Sequence, residues 1–217
     1  MKYKIAVFPG DGVGPELVDE SIKLIEKSAE LGKFEIGWEK FPHCAEHYLD
    51  TKELIEEKTL KELNKCNAIY FGALGHPDAN AICESGILGP IKKYMGHFAM
   101  VKPVKLYPNV ESSIKSEKAD FILIREISED FYVDIKGELN TEKSRQQFNF
   151  ESPIRGKIAV SCESKDGDFS YQIGVLSKKG CQRFCNFALD YAKQNCAEKI
   201  TSVSKSDLLG YYEIWNN

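Results

Sequence analysis

Apolar positions near the amino terminus follow the order strand, turn, helix. A β-rich run at 4–8 leads into a glycine-containing turn at 9–14. Beyond the turn, apolar residues recur with helical spacing. Pro15 suits the first turn of a helix, Glu16 favours the positive end of its dipole, and Gly32 is typical of a helix end. The pattern predicts a strand that passes through a tight turn into a helix, which runs to about Leu31 and is stopped by Gly32.

The same alternation continues further along the chain. Residues 34–38 alternate between apolar and polar like a strand, and Thr51 is placed to cap a second helix that includes Leu63. Residues 68–71 form a continuous apolar run, which is typical of a strand buried in a parallel sheet. Strands that alternate with helices predict an α/β architecture.

The pattern changes further on, and we place a boundary in the range 98–104. Four runs are strand-like, at 98–106, 121–124, 157–161 and 200–204. A weakly helical stretch separates the first two runs. Residues 136–155 are polar with few periodic apolar positions, which predicts a protruding arm. Ser177 is placed to cap a helix that runs to about Cys196.

Composition and charge narrow the class of protein. With 217 residues, the chain is long enough for one large domain or two small ones with a buried core. A net charge of −4 provides no basic footprint for nucleic acid, although a local cationic pocket can still bind an anionic substrate. No apolar run approaches the ~20 residues that span a bilayer, and the first residues lack a secretory pattern. We expect a cytoplasmic protein, or an organellar one after removal of a targeting segment, with neither nucleic acid nor membrane as partner.

The cysteines and histidines favour structural roles. None of the seven cysteines forms a Cys-x-x-Cys pair, and Cys181 and Cys185 lie four apart in a helical pattern, which predicts a buried apolar stripe. Zinc bound by these two residues with Cys196 is the alternative, but the ligand spacing is unsuitable. His43 and His47 are also four apart, without other ligands nearby in sequence, and we interpret them as helix-surface histidines. Reduced thiols are the expectation.

The glycine turn has two interpretations. A strand, a glycine turn and a helix can form a phosphate-binding loop, because backbone N–H groups at a helix N-terminus attract anions. However, Gly10, Gly12 and Gly14 do not match the dinucleotide-binding spacing Gly-x-Gly-x-x-Gly. A tight turn that needs positive φ angles explains the glycines at least as well.

Several cationic residues occupy positions where α/β proteins place functional side chains. Lys92 and Lys102 flank residues 97–98, and Arg125 ends the apolar strand. Lys205 follows the last predicted strand. A cation at the end of a buried strand can hold a carboxylate in a cleft. The residues alone favour a solvated surface role for Lys92 and Lys102, whereas Arg125 directly adjoins an apolar run.

Five segments, which together extend over most of the chain, resemble signatures of the metal-dependent decarboxylating dehydrogenases. That family acts on isocitrate, 3-isopropylmalate, homoisocitrate, tartrate or D-malate. The segments, in the family's order, are 5–16, 71–75, 98–104, 124–132 and 201–206. The first of them is the most specific. Five signatures in the right order are typical of common descent.

The resemblance implies an α/β fold of the isocitrate/isopropylmalate dehydrogenase type, which is not a Rossmann fold. Residues 1–100 would be the amino-terminal part of an incomplete large α/β domain. Residues 101–217 would be the small α/β domain, with a dimerisation arm at about 136–155. In this family the active site is shared across a dimer, so the expected partner is a second copy or another subunit.

The resemblance also implies roles for single residues. Lys92, Lys102 and Arg125 occupy the positions that bind the carboxylates of a small di- or tricarboxylate substrate. Tyr132 would be the general acid that protonates the enolate left by decarboxylation. Lys205, from the partner subunit, would be the base that deprotonates the C2 hydroxyl.

The implied cofactors are NAD and a divalent ion, Mg²⁺ or Mn²⁺. The segment containing Gly72, Ala73 and Leu74 is the candidate for cofactor contact. Family members continue beyond Lys205 with the metal-binding aspartates and the loop that holds the adenosine of NAD. The resemblance therefore implies an amino-terminal portion of such an enzyme, without a metal site of its own.

This sequence departs from the family at four positions. Lys92 and Lys102 stand where arginine is usual, and lysine keeps the charge but loses the planar two-point grip on a carboxylate. Asp207 and Met100 stand where asparagine is common.

These departures leave several hypotheses open. One is NAD-dependent, metal-assisted oxidative decarboxylation of a malate-type 2-hydroxy acid, incomplete or inactive in this chain alone. The alternative is a non-catalytic carboxylate-binding or regulatory paralogue or subunit, and a third is a fragment without present function. Residues 84–91 slightly favour tartrate or D-malate as substrate, and NAD against NADP stays open.

Overall fold

The computed structural model describes residues 1–113, 115, 118–142, 144–152 and 156–217. The chain divides into two compact units, Met1–His97 (unit 1) and Phe98–Asn217 (unit 2). Each unit combines helices with sheet, as the predicted α/β class requires. In the part of the chain that the model describes, no helix has the length and apolar character needed to cross a bilayer.

Unit 1 is built around a three-stranded parallel sheet. Its strands are β1 (Lys2–Phe8), β2 (Glu35–Lys40) and β3 (Ala68–Phe71). β1 lies in the centre and pairs with β2 on one side and β3 on the other. The predicted alternation of strands and helices is confirmed here, including the apolar strand at 68–71.

The helical elements of unit 1 connect and flank these strands. They are α1 (Gly14–Gly32), α2 (Ala45–Thr51), α3 (Glu57–Leu63), α4 (Asn80–Ile82), a π-helical turn (Cys83–Leu88) and α5 (Gly89–Tyr94). In the core, Phe8 stacks between Phe41 and Phe71, with ring centroids 5.2 and 4.6 Å away. Leu63 of α3 and Ile91 of α5 are buried in the same cluster.

The end of α1 differs from the sequence expectation by one residue. Gly32 is still helical, and Lys33 adopts the left-handed conformation, with φ 56°. The Lys33 N–H bonds to the carbonyls of Ala29 and Glu30 and so closes the helix. Gly32 itself lies against the ring of Phe34, so a Cβ there would require the ring to move.

The predicted role of Thr51 as a helix cap is wrong. Thr51 is the last residue of α2, and its hydroxyl donates to the carbonyl oxygen of His47 at 2.7 Å. The sulfur of Cys44 caps α2 instead, accepting from the N–H of His47 at 3.4 Å. α3 begins after Glu56. The local pattern misplaced the cap because Thr51 turns back to a carbonyl of its own helix.

Among its described residues, unit 2 contains three antiparallel strand pairs. The first is β4 (Ala99–Lys105) with β5 (Asp120–Glu126), the second β6 (Asp130–Leu139) with β9 (Phe169–Val175), and the third β7 (Arg145–Ser152) with β8 (Gly156–Glu163). The strands predicted at 98–106, 121–124 and 157–161 are confirmed. β6, β7 and β9 were missed, and the described part of 107–119 contains no helix.

The polar segment 136–155 is largely strand where it is described. It includes the end of β6 and all of β7. Its assignment as a dimerisation arm, and the division into domains 1–100 and 101–217, remain predictions.

The long helix of unit 2 matches its prediction. α6 spans Lys178–Gln194, and the hydroxyl of Ser177 accepts from the N–H of Gly180 at 3.1 Å. Of the predicted buried pair, Cys181 is buried, together with Phe184, whereas Cys185 is only half-buried. Burial raises the pKa of the Cys181 thiol to about 11, so the thiol stays protonated.

The predicted last strand, at 200–204, is wrong, because these residues of unit 2 form no strand. Ser202 accepts from the indole N–H of Trp215 at 3.2 Å, so the segment folds back on the chain end instead of joining a sheet. A short 3₁₀ turn, Gly210–Tyr212, and α7, Glu213–Asn216, follow. Trp215 packs on Phe184 of α6, with ring centroids 5.1 Å apart.

Candidate functional site

Two of the predicted substrate-binding cations lie on one face of the β4–β5 pair. Arg125 is paired with Met100, and Lys102 is paired with Leu123. Residues that are directly paired across two strands share a face, and so do residues two apart on one strand. Lys102 and Arg125 are therefore diagonal neighbours, with a backbone-to-backbone spacing of about 7–8 Å. Both are exposed. The pair forms a cationic face that can accept a carboxylate.

Arg125 also contacts the predicted general acid. Its Nη2 donates a hydrogen bond to the hydroxyl oxygen of Tyr132, and its guanidinium carbon lies 5.4 Å from the centre of the tyrosine ring. Tyr132 is 48% exposed, so its hydroxyl is accessible to a ligand. The structure therefore brings Lys102, Arg125 and Tyr132 together.

The turn that joins β5 to β6 is closed by a carboxylate. Glu126 accepts hydrogen bonds from the N–H and hydroxyl of Ser128, at 2.9 and 2.6 Å, and from the N–H of Glu129 at 2.7 Å. Arg183 of α6 donates to the hydroxyl of Ser128 at 3.2 Å and covers the ring of Phe98 at 4.1 Å. These contacts fix the backbone between Arg125 and Tyr132.

A second carboxylate anchors α6 beneath the same turn. Glu129 is fully buried and accepts from the N–H and hydroxyl of Ser177, at 2.7 and 3.2 Å. A Cβ on Gly180 would overlap the Glu129 carboxylate, so the close approach requires glycine. Sequence reasoning identified Ser177 but missed its partner, because Glu129 lies 48 positions earlier in the chain.

Lys205, the predicted base, is exposed in the carboxy-terminal segment of unit 2. Its carbonyl oxygen accepts from the N–H groups of Leu208 and Leu209, at 3.0 and 2.8 Å. The flanking hydroxyls of Ser204 and Ser206 lie 3.2 Å apart. The lysine thus sits at the start of a closed turn, and its catalytic role stays a prediction.

Lys92, the third predicted cation, belongs to unit 1. Its ammonium group lies 2.8 Å from a carboxylate oxygen of Glu84, two helical turns earlier. The side chain of Lys92 is 25% exposed. An ion pair of this kind competes with a substrate carboxylate for the lysine.

The glycine turn of unit 1 packs against the segment 72–75. Gly10 and Gly12 have φ of 85° and 56°, which confirms the interpretation of a tight turn that needs positive φ. The N–H of Asp11 donates to the carbonyl of Ala73 at 2.7 Å, and the N–H of Gly72 donates to the carbonyl of Phe8 at 2.8 Å. These backbone groups therefore serve the packing of two loops. A cofactor contact at Gly72, Ala73 and Leu74 stays a prediction.

Asp11 is the residue that holds this region together, and sequence reasoning did not single it out. Its carboxylate is 3% exposed and accepts from the N–H groups of Ala45 and Glu46, at 3.1 and 2.9 Å, and of Gly75 at 2.9 Å. Burial alone would raise the pKa of Asp11, but the three backbone hydrogen bonds outweigh burial, so the pKa lies below its ordinary value. The signal available in the sequence was the position of Asp11, an acidic residue between two glycines of a turn.

The two histidines of unit 1 differ from the sequence interpretation. His47 lies on α2, with its Nε2 3.2 Å from Glu53, but His43 precedes the helix. The Nδ1 of His43 is buried without a hydrogen-bond partner among the described residues, and burial, followed by the neighbouring His47, lowers the pKa of His43. His43 borders a shallow cavity of about 240 Å³ that also contains the carboxylates of Glu56 and Glu62.

The described residues do not supply a metal site. Nowhere in this part of the chain do three or more His, Cys, Asp or Glu side chains come together in a way that could hold an ion.

Comparison with known proteins assigns the chain to a family. Residues 4–217 match the family model described as isocitrate/isopropylmalate dehydrogenase. In fold, isocitrate dehydrogenase from Methylococcus capsulatus superposes with a TM-score of 0.73 at 20% identity, over 99% of this chain and 56% of that one.

Relatives of known activity agree with that assignment. The 3-isopropylmalate dehydrogenase of Thermobifida fusca is 26% identical over 98% of this chain and 55% of its own length. The decarboxylating D-malate dehydrogenase of Escherichia coli K12 is 25% identical over 94% of this chain and 52% of its own length. The chain thus spans about half the length of the relatives that it matches. Because the family match extends over nearly every residue, the chain belongs to the isocitrate/isopropylmalate dehydrogenase family.

Proposed function

We propose that this chain is the substrate-binding part of an NAD-dependent decarboxylating dehydrogenase that acts on a malate-type 2-hydroxy acid. Family membership supports the reaction class. The observation that carries the proposal is the position of Arg125, which shares a sheet face with Lys102 and donates to the hydroxyl of Tyr132. Two cations beside a phenol suit a substrate that has carboxylates and passes through an enolate.

In the proposed reaction, each residue has one task. Lys102 and Arg125 bind the substrate carboxylates, with Lys92 as a third cation. Lys205 of the partner subunit accepts the proton of the C2 hydroxyl as that carbon is oxidised. Loss of CO₂ then leaves the electrons of the broken bond in an enolate. Tyr132 donates its hydroxyl proton to the enolate carbon and regains a proton from solvent.

NAD and a divalent ion are the cofactors that the family implies. NAD, when bound, accepts the hydride from C2, and Gly72, Ala73 and Leu74 are the proposed neighbours of the cofactor. For Mg²⁺ or Mn²⁺ we assign no ligand within the described residues, since they contain no suitable cluster.

A second function is favoured by the ion pair of Lys92. Its ammonium group is already bound to Glu84 at 2.8 Å, and lysine replaces arginine at both Lys92 and Lys102. Such a site would hold the substrate carboxylates in a less defined orientation. This suits a carboxylate-binding or regulatory subunit, which does not have to orient a substrate for reaction. This alternative keeps the role of Arg125 and removes the catalytic role of Lys205.

We further propose that the protein acts in the cytoplasm as a dimer, with the segment 136–155 as the dimerisation arm. All seven cysteines, which lie in the described part, are free thiols, and this suits a reducing compartment. The arm carries β7, whose pairing with β8 leaves an apolar face only half-buried. Such a face can be covered by a second copy of the chain.

Thermal unfolding with carboxylate ligands tests the proposed site. D-malate, tartrate, 3-isopropylmalate and isocitrate are added in turn to the purified protein, with sodium sulfate at equal ionic strength as the anion control. A ligand that saturates a site at 100 times its Kd stabilises the folded state by about 2.7 kcal/mol, which raises the Tm. We expect D-malate or tartrate to raise the Tm more than sulfate does, and Arg125→Ala to abolish the difference.

Arg145→Ala is the matched control for that experiment. Arg145 is also an exposed arginine on a strand of unit 2, but it lies on β7 and contacts Ser161. The ligand effect should survive this substitution. Equal Tm shifts in Arg125→Ala and the parent protein would contradict the proposed site. NAD reduction in the presence of Mg²⁺ or Mn²⁺ separates the two functions, because only the dehydrogenase turns over a hydroxy acid.

A further inference from the structure

A half-buried interaction at the start of β6 stands apart from the proposed carboxylate site. Asp130 has a φ of 58°, in the left-handed region that residues with a side chain rarely adopt. Its two carboxylate oxygens accept hydrogen bonds from the hydroxyls of Tyr211 and Tyr212, at 2.6 and 2.5 Å. The tyrosines lie 81 and 82 positions later in the chain, so this contact is long-range.

The surroundings of Asp130 are shaped for this contact. Gly174 lies beside it on β9, and a Cβ there would overlap both the Asp130 carboxylate and the Tyr211 hydroxyl. Burial and the hydrogen bond to Asp130 raise the pKa of Tyr212 to about 12 and also raise the pKa of Tyr211. Both phenols therefore remain protonated donors at any physiological pH.

The two tyrosines belong to a closed loop that carries Lys205. We call residues 202–216 the tail loop. Its ends are joined by the hydrogen bond from Trp215 to Ser202 at 3.2 Å and by the bond from Asn216 to Ser206 at 2.9 Å. The two hydrogen bonds close the loop at its base, so Lys205 and the two tyrosines lie on one closed segment.

We infer that Asp130 is a positioning residue, which ties the tail loop, and with it Lys205, to the strand that carries Tyr132. Tyr132 follows Asp130 by two positions on β6, and Lys205 lies on the loop that Asp130 holds. Asp130 itself takes no part in the chemistry. The inference rests on the proposed function in one respect. The Lys205 that Asp130 holds acts in the active site of the partner subunit, so its position matters for catalysis only if Lys205 is the proposed base.

Trp215 provides a direct signal for this contact. The protein has two tryptophans, so Trp38→Phe leaves Trp215 as the only one, packed on Phe184. In this background we expect Asp130→Gly to raise the acrylamide quenching of Trp215 several-fold, because the tail loop detaches. Tyr211→Phe with Tyr212→Phe removes the same hydrogen bonds without touching the backbone of β6, and should give the same result.

Asp134→Gly is the matched control. Asp134 is also an aspartate of β6 with positive φ, 62°, but its partner is the neighbouring Lys136 at 2.7 Å. Trp215 quenching should not change in this variant. Asp130→Asn should raise Trp215 quenching less than Asp130→Gly does. Asparagine tolerates the left-handed conformation and keeps one acceptor oxygen, so part of the contact with the tyrosines remains.

A second measurement separates positioning from general stability. Acetylation rates of Lys205 and Lys178 are compared by mass spectrometry, because Lys178 lies on α6 outside the tail loop. Loss of the contact should change the Lys205 rate several-fold relative to Lys178, whereas global destabilisation changes both. Unchanged quenching and an unchanged rate ratio in both Asp130→Gly and the double tyrosine variant would overturn the inference. Neither Trp215 quenching nor the acetylation ratio depends on a carboxylate ligand. A failure of this inference is therefore distinct from a failure of the proposed function, which is tested by the Arg125-dependent Tm shift.

Discussion

At the scale of single residues, buried carboxylates form hydrogen bonds between segments that are distant in sequence, and they do so in both units. Asp11 joins two separate segments of unit 1, and Glu129 joins the β5–β6 turn to α6. Each is buried and accepts several hydrogen bonds from N–H or O–H donors. A buried charge is stable only when it is bonded in this way. The acidic residues are therefore structural, while the exposed cations Lys102 and Arg125 are available to a ligand.

We predict that Asp11→Ala destabilises unit 1 by about 2–3 kcal/mol, because it leaves three backbone N–H groups without their acceptor. Asp11→Asn should cost less, since its amide oxygen still accepts. Urea unfolding followed by far-UV circular dichroism gives the free energy of unfolding. Glu16→Ala, an exposed acid on the neighbouring helix, is the control and should have little effect. Equal stability of Asp11→Ala and Glu16→Ala would refute the structural role.

The same residue predicts a pH dependence. The folded-state pKa of Asp11 lies below its unfolded value, so the stability that it contributes is present above the unfolded pKa, about 3.9. That contribution is lost as the pH falls through the folded pKa. Acid unfolding of Asp11→Asn should therefore depend less steeply on pH below about 4 than acid unfolding of the parent protein.

At the scale of elements, the glycine turn illustrates how a loop can be specified by close packing. Gly10 and Gly12 both have positive φ, but their surroundings differ. A Cβ on Gly10 would overlap the carbonyl oxygen of Ala73, whereas a Cβ on Gly12 would meet nothing within 4 Å. Gly10 is therefore required by both its positive φ and its close packing, whereas Gly12 is required by its positive φ alone.

We predict that Gly10→Ala destabilises the protein clearly more than Gly12→Ala does. The second substitution has only the left-handed conformation to overcome, about 1–2 kcal/mol. The first adds a collision with backbone that cannot move aside, which brings the total above about 3 kcal/mol. Thermal and urea unfolding of the two variants side by side measure the difference. If both lose the same stability, the close approach of 9–14 to 72–75 does not hold in solution.

At the scale of the whole molecule, the β7–β8 pair is a two-stranded element that meets β9 through Phe148, whose ring centroid lies 6.3 Å from that of Tyr171. Two-stranded hairpins are marginal in isolation. Alternate residues of this pair, including Phe148 and its partner Val160, form a half-buried apolar face, and Ala159 on the opposite face is exposed. Contact with a second copy is the proposed way in which the face is covered.

We predict that Val160→Asp raises the Kd of the proposed dimer at least about 100-fold, because it places a charge in an apolar interface. This change in Kd corresponds to a loss of about 2.7 kcal/mol in the free energy of dimerisation. Size-exclusion chromatography with light scattering measures the mass. Ala159→Asp, which adds the same charge to the exposed face, should leave the dimer intact. Circular dichroism confirms that both variants are folded. A parent protein that is monomeric at all concentrations would remove the proposal of a shared active site.

Much of this protein was determined by its sequence alone. β1, β3, β4 and β5 follow from short apolar runs, and the cap of α6 at Ser177 follows from a hydroxyl next to the N–H groups that it binds. These signals are local, because strand and cap propensities depend on residues that are neighbours in the chain. The order of the five signatures carried the family in the same way, without any knowledge of contacts.

Tertiary structure decided the rest. The segment 200–204 has the composition of a strand but folds back on Trp215, and Asp11, Glu129 and Asp130 find their partners between 34 and 82 positions away. No local pattern encodes such contacts, since they depend on which surfaces the chain brings together. The same reason explains Lys92, whose charge was visible in the sequence while its pairing with Glu84 was not. Which charges stay free for a ligand is settled only when every nearer partner has been found.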